Sequence, residues 1–241
     1  MPLFRGQYPL LTRFERRRAP MHSRLCSLQW PTRDDYQLIE TWLRPMSITS
    51  ALTGDMNERV SAEEVRAANE SGKIRYLMVV RKNGDRIGMV NYRAVGSAGS
   101  YSIGGAVGDP TRWNSGCGAE ALWLLVDYLF HQLNAHRVEF TTASYNKHTM
   151  SILTKGGFVL EGVLRDFYYL DGMYYDRTIW SILREEFEEA AVTYANVYPV
   201  QNLVPDKDKQ QAQEAFSAYL ASDPPTSLNS FADRATRQRA Y

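Results

Sequence analysis

The chain has 241 residues, 44% of them hydrophobic and 23% charged, with a formal net charge of +1. That length suits one domain with appendages, and the even charge balance excludes a global pull toward nucleic acid or membrane. No apolar run approaches the ~18 residues of a bilayer span, the N-terminus lacks the apolar stretch of a secretory signal, and Cys26 and Cys117 are too few for a disulfide scaffold, so a cytoplasmic protein is expected.

Residues 1–22 form a basic arm, with Arg5, Arg13, Arg16, Arg17 and Arg18 against Glu15. Such an arm can touch RNA or an acidic surface, trail as a tail, precede a true start at Met21, or serve as an organelle transit peptide; RNA contact is the less favoured reading. Arg24 to Trp30 alternates and reads as a strand ended by Pro31. Thr32 then caps a helix to Leu43, with Leu38, Ile39, Trp42 and Leu43 on one side. Residues 45–60 read as irregular, and Ser61-Ala62-Glu63-Glu64 opens a short polar helix ending at Gly72.

Three strands follow: Ile74–Arg81, Arg86–Val95 and Ser100–Gly108. The first two are joined by Lys82-Asn83-Gly84-Asp85, a hairpin signal because Asn-Gly accepts positive φ. The third strand carries Gly104 and Gly105 at its middle, a pattern that marks a bulge or the close approach of another backbone. Asp109-Pro110 leads into Trp113-Asn114-Ser115-Gly116-Cys117-Gly118-Ala119-Glu120-Ala121, a glycine-rich turn opening into a helix. Ala121, Leu122, Leu125, Val126, Leu129 and Phe130 recur at helical spacing along that helix. Asn114 or Ser115 is the expected cap. The first helical N–H groups lack intrahelical partners and sit at the positive end of the helix dipole, so the turn can cradle a phosphate. No Lys-Ser or Lys-Thr follows Gly118, which excludes a Walker A loop, and the dinucleotide fingerprint lacks its third glycine.

Arg137–Thr142 is a further strand, Asn146 heads a helix through Lys155, and Gly156-Gly157 stops it. Phe158–Leu170 reads as a strand broken near Gly162, returning through Asp171-Gly172 into Met173–Leu183. Acidic Glu185–Glu189 ends the core domain in this reading. Residues 196–205 look extended, 206–221 form a helix that caps the core or contacts a second subunit of a homodimer, and a polar tail follows Pro224-Pro225.

This element order, with Asp109-Pro110, Trp113, Gly116-x-Gly118, Glu120-Ala121, His136-Arg137-Val138, Asn146, Lys155, Gly157-Phe158 and Glu161-Gly162 at matching spacing, resembles the GNAT superfamily of N-acetyltransferases. It is most similar to the branch that acetylates ribosomal-protein alanine N-termini. The resemblance covers residues 23–187, between the basic arm and a C-terminal extension at 188–241. It implies an α/β fold with a mixed, largely antiparallel sheet, splayed in the middle and flanked by helices. It implies acetyl-CoA, or a related acyl-CoA, as donor, a primary amine of a small molecule or protein N-terminus as acceptor, and no metal or membrane. Pyrophosphate would meet the backbone of Asn114, Ser115, Gly116, Cys117, Gly118 and Ala119. The pantetheine arm would lie along Ala106 and Val107 and beside Asn146, with the Val107 N–H as oxyanion donor. The tyrosine acid of much of the superfamily falls on Leu153, which cannot serve. The alanine-acetylating branch instead pairs a serine with a glutamate, and those positions hold Thr149 and Tyr168. Threonine keeps the hydroxyl; tyrosine, with a pKa of ~10, is a poor base at neutral pH without a cationic neighbour or a water relay. An aminoacyl-tRNA or carrier-protein donor and a non-catalytic acyl-CoA-binding protein are the alternatives.

Overall fold

A computed structural model describes residues 21–54, 58–96, 98–108, 116–194 and 204–222. Backbone contacts divide the chain into one unit through Pro199 and another from Val200. Eight strands among the described residues build one sheet: β1 (Met21–His22), β2 (Cys26–Gln29), β3 (Arg75–Arg81), β4 (Arg86–Ala94), β5 (Ser100–Val107), β6 (Arg137–Ala143), β7 (Val159–Leu170) and β8 (Met173–Leu183). Their order is β1-β2-β3-β4-β5-β6-β8-β7. The β5–β6 pair is parallel and every other pair is antiparallel, as the mixed sheet expected from the sequence requires.

One sheet face carries α1 (Arg33–Trp42) and α3 (Ala62–Ser71). Tyr36, Ile39 and Val65 from these helices pack with Tyr76, Met78, Val80 and Met89. The other face carries α4 (Cys117–His131), whose predicted stripe from Ala121 to Phe130 is buried against Leu28, Leu77, Val79 and Val138. Each fully buried leucine there contributes roughly 1.5–3 kcal/mol relative to exposure.

Helix ends follow their sequence signals. The Ser61 hydroxyl accepts the Glu64 N–H while the Glu64 carboxylate accepts the Ser61 N–H, a capping box, and Gly72 ends α3 at φ 81°. At α1, the Thr32 N–H and hydroxyl both donate to Asp35 at 2.8 Å, and Asp35 also pairs with Arg86 on β4. Asp35 is buried, so it joins helix start to sheet. Asp35→Ala is expected to lower unfolding stability by about 2 kcal/mol, through a lost cap and a lost charged hydrogen bond. An unchanged urea midpoint would show that Arg86 and water replace it fully.

One feature differs from the sequence reading, and two add detail to it. Residues 45–60 contain a helix, α2 (Ile48–Thr53), begun by a Ser47 hydroxyl that accepts the Ser50 N–H and ended by Gly54 at φ 82°. The β3–β4 turn places only Gly84 at positive φ. Paired bonds from Arg81 N–H to Asp85 O and from Gly84 N–H to Arg81 O make it a three-residue loop with a glycine bulge rather than a two-residue turn. The acidic stretch after β8 is a helix, α6 (Arg184–Tyr194), anchored by buried Phe187 with ring centroids 5.2 Å from both Trp123 and Phe130. The expected Asp171-Gly172 hairpin is present, both residues having positive φ.

The second unit contains α7 (Asp206–Ala221), matching the predicted helix. Phe216, Tyr219 and Leu220 are exposed along it. The basic arm through Pro20, and most of 196–205, lie outside the described residues.

Candidate active site

Strand β5 keeps β6 as neighbour only from Ser100 to Ile103, opposite Arg137 to Phe140. Beyond Ile103, β5 stays with β4 through Val107, while β6 continues along β8 to Ala143. The sheet therefore opens into a V. Bonds from Gly108 N–H to Ile87 O and from Val95 N–H to Ser100 O set the antiparallel alternation. Even-numbered β5 residues direct their backbone groups at β4, and Gly105 and Val107 direct theirs toward the opening.

The β5 glycines serve the protein's own packing. A Cβ on Gly104 would lie 3.1 Å from Asn91 Oδ1, and one on Gly105 would lie 2.9 Å from the Met89 carbonyl. Gly108 lies beneath the Trp42 indole, whose Nε1 would be 2.1 Å from an added Cβ.

At the tip of β5 stands the start of α4. Its N-cap is Gly116 at φ 78°, with no side-chain cap. Asn114 and Ser115, from which a side-chain cap is expected, lie outside the described residues with the rest of 109–115. An added Cβ on Gly118 would sit 3.3 Å from Val107 Cγ2, so the first turn of α4 abuts the strand edge. Cys117 points into the core. Cys26 beside it is likewise buried, and burial pushes its thiol pKa up to about 12, so it remains a thiol at neutral pH. Glu120 has a structural part: its carboxylate accepts the Leu25 N–H at 2.8 Å and the Ser23 hydroxyl, fastening the β1–β2 turn to α4.

The other wall begins where β6 turns into α5 (Lys147–Lys155). Asn146 is buried. Its Oδ1 accepts the Thr149 N–H at 3.1 Å, capping α5, and its Nδ2 donates to Leu52 O at 3.0 Å. The Tyr145 hydroxyl donates to Ala51 O at 2.6 Å, and burial raises its pKa. Two adjacent side chains thus hold the C-terminal carbonyls of α2, whose Thr49 hydroxyl reaches Gly108 O at 3.4 Å. Helix α2 bridges the two walls of the V. Neither Tyr145 nor α2 is singled out by sequence patterning; the signal available was Ser47 and Gly54, a cap and a stop bracketing six residues.

Tyr168 lies on the α2 side of this junction. A Cβ on Gly54 would meet its ring at 2.8 Å, and its ring centroid is 6.3 Å from Tyr145 and 4.9 Å from Phe167. The Arg177 guanidinium stacks 4.8 Å from the Phe167 centroid and donates to Thr141 Oγ1 at 2.7 Å, so a cation lies one ring away from Tyr168. Thr149 occupies the first turn of α5 and is half-buried, whereas Leu153 is fully buried in the core. Among the described residues, no group of three or more His, Cys, Asp or Glu side chains is placed to hold a metal, and no helix is long and apolar enough to cross a membrane.

Known proteins resemble this chain in sequence and fold. Residues 24–159 match the acetyltransferase (GNAT) domain model. The Bacillus subtilis (strain 168) protein named Probable N-acetyltransferase YjcK is 35% identical over 81 residues, covering 34% of this chain and 45% of its own length, so the chain spans less than half of that relative. The ribosomal-protein-S5-alanine acetyltransferase of Vibrio fischeri superposes with a TM-score of 0.55 at 18% identity, over 70% of this chain and 98% of its own. Mycobacterium smegmatis RimJ, solved in complex with CoA-disulfide, superposes with a TM-score of 0.55 at 21% identity, over 73% of this chain and 93% of its own. The structural likenesses establish the fold, and the domain match extends over more than half of the sequence: the chain belongs to the GNAT acetyltransferase family.

Proposed function

We propose that the protein moves an acetyl or related acyl group from acyl-CoA to a primary amine, on a small molecule or a protein N-terminus. The observation that carries this reading is the departure of β5 from β6 after Ile103, which leaves the outward edge at Gly105 and Val107 beside the first turn of α4. Bound acetyl-CoA supplies the acetyl group, activated as a thioester.

The protein's own residues then divide the work. N–H groups of Gly116, Cys117, Gly118 and Ala119 hold the pyrophosphate at the positive end of α4; Asn114 and Ser115, which the resemblance adds to them, lie outside the described residues. The β5 edge takes the pantetheine arm as an added strand through the outward groups of Gly105 and Val107, not through Ala106 as expected from the sequence, because the backbone of Ala106 is turned to β4; the Val107 N–H faces the carbonyl to be attacked. Asn146 spends one amide N–H on Leu52 and one lone pair on Thr149. The second N–H and lone pair of the amide remain for the cofactor. Thr149 gives a proton to the leaving sulfur, and Tyr168 relays one from the incoming ammonium, whose pKa of ~10.4 keeps it charged at neutral pH.

The test is thiol release from acetyl-CoA across a panel of amines and peptide N-termini. Amine-dependent release is expected; CoA binding without release for any amine would leave a binding protein and sink the reading. With an acceptor in hand, Tyr168→Phe is expected to lower kcat/KM and move its alkaline rise to higher pH. A rise in KM alone would reduce Tyr168 to a wall of the pocket.

A further inference from the structure

We propose, resting on the acyl-transfer reading above, that Arg177 binds a carboxylate carried by the acceptor, so that the substrate is an amine with an acid group on the same molecule. Arg177 lies on β8 opposite Ala143, the last paired residue of β6. That pair stands beyond Phe140, the last β6 residue opposite β5, and so borders the opening of the V. Val138 and Phe140 are buried with α4, and side chains alternate along a strand. Glu139, Thr141 and Ala143 therefore share the other face, and Arg177, level with Ala143, shares it too.

The guanidinium is short of partners. Arginine carries five N–H donors, and its one hydrogen bond among the described residues runs from Nη2 to the Thr141 hydroxyl at 2.7 Å. Its Nε is buried and without a hydrogen-bond partner. Among the described residues no carboxylate pairs with it. Adjacent Asp176 accepts the Asp166 N–H at 3.0 Å instead, and Glu139 and Glu161 are both turned to Arg137. Arg137 thus has two counterions on this sheet, and Arg177 has none. A cation partly withdrawn from water without a counterion is costly. Nor is it needed as a brace, because the ladder already joins Thr141 to Ile179 and Ala143 to Arg177. A carboxylate supplied from outside matches the planar fork of the guanidinium.

Strand β7 is broken beside this group. Its register against β8 shifts between Leu164 and Tyr168, and Asp166 within the break takes φ 53°. Bulges re-aim side chains next to active sites, and a non-glycine residue at positive φ is retained where its surroundings require it. Here the break lays the Phe167 ring 4.8 Å from the guanidinium carbon. Phe167 is 49% exposed, so this aromatic seat borders solvent. The same ring meets Tyr168 edge-to-face, with centroids 4.9 Å apart. The cation therefore stands one ring from the residue assigned to the incoming ammonium, a separation that a short chain between amine and acid spans.

Matched acceptor pairs test this: glycine, β-alanine and longer ω-amino acids, and peptides with glutamate in second place, each beside its carboxamide or glutamine counterpart. Thiol release from acetyl-CoA and calorimetric binding to the CoA-loaded protein are measured for every pair. In the wild type at least one carboxylate is expected to be favoured by ~10–10²-fold in kcat/KM and in affinity, the usual weight of a charged hydrogen-bonded pair. Whichever arm shows the preference separates a free amino acid from a peptide. Arg177→Gln should bring that ratio close to one, whereas loss of a mere sheet brace lowers both members of a pair alike and leaves the ratio standing. Carboxylate-selective binding with no thiol release from any amine would overturn the acyl-transfer reading and uphold Arg177 as the anion site. Equal treatment of both members of every pair by the wild type, a comparison that needs no variant to fold, or a preference that survives in Arg177→Gln would overturn the proposal.

Discussion

Thr149→Val is expected to lower kcat by ~10²–10⁴-fold while leaving CoA affinity unchanged, the usual contribution of a positioned acid. Valine keeps the β-branched shape and removes only the hydroxyl. The backbone of residue 149 is held independently of that hydroxyl, since its N–H is taken by Asn146 Oδ1 at 3.1 Å, so the first turn of α5 should stay in place. Rate loss with intact affinity therefore isolates an interaction made on the way to the transition state. Thr149→Ser should restore most of the rate, because it returns the donor. Leu153, at the position of the superfamily's tyrosine acid, is fully buried and offers no substitute. If valine at 149 supports near-normal turnover, the leaving thiolate departs without help from this residue, and positioning with desolvation carries the reaction.

Gly118→Val should weaken CoA binding by on the order of 10²–10⁴-fold in calorimetry. The loss follows if two charged hydrogen bonds, at ~1.5–3 kcal/mol each, are displaced from the first turn of α4. Gly118 is the better test of the two glycines. Gly116 stands at φ 78°, where valine is strained whatever is bound, and a loss there would mix folding with affinity. Gly118 is free of that constraint, but a Cβ already comes within 3.3 Å of Val107 Cγ2, so a branched side chain pushes the helix start away from the strand edge. Cys117→Ala, one residue earlier, removes a buried core group and should cost about 1 kcal/mol of stability with affinity retained. Unaltered affinity in Gly118→Val would remove the α4 terminus from the cofactor site.

Much of this was legible because the governing interactions are local. The stripe from Ala121 to Phe130 announces α4 by its period, Ser61 and Glu64 announce α3 by reciprocal hydrogen bonds three residues apart, and Asp171-Gly172 announces a turn by tolerance of positive φ. The ordered motif from Asp109 to Gly162 was enough to recognise the family, and through it a splayed sheet. Helix α2 was missed because six residues carry too little periodicity to register. The expected cap from Asn114 or Ser115 lies outside the described residues, and the helix boundary itself falls on Gly116 at positive φ.

What the tertiary structure alone decided depends on residues distant in the chain. Tyr145 and Asn146 bond carbonyls 94 positions away, and nothing near them in sequence predicts that α2 would be fastened there. The resemblance proposed Asn146 for the cofactor; the fold shows that it also caps α5 and holds α2. Glu120 and Cys117 look available in a glycine-rich turn, yet the fold turns one onto the β1–β2 backbone and the other into the core. The sequence reads Phe158–Leu170 as a strand, and only the order β6-β8-β7 shows that it stands at the sheet edge. Hydrophobic period is a property of neighbours along the chain, whereas strand order and side-chain partnership are chosen by packing across it.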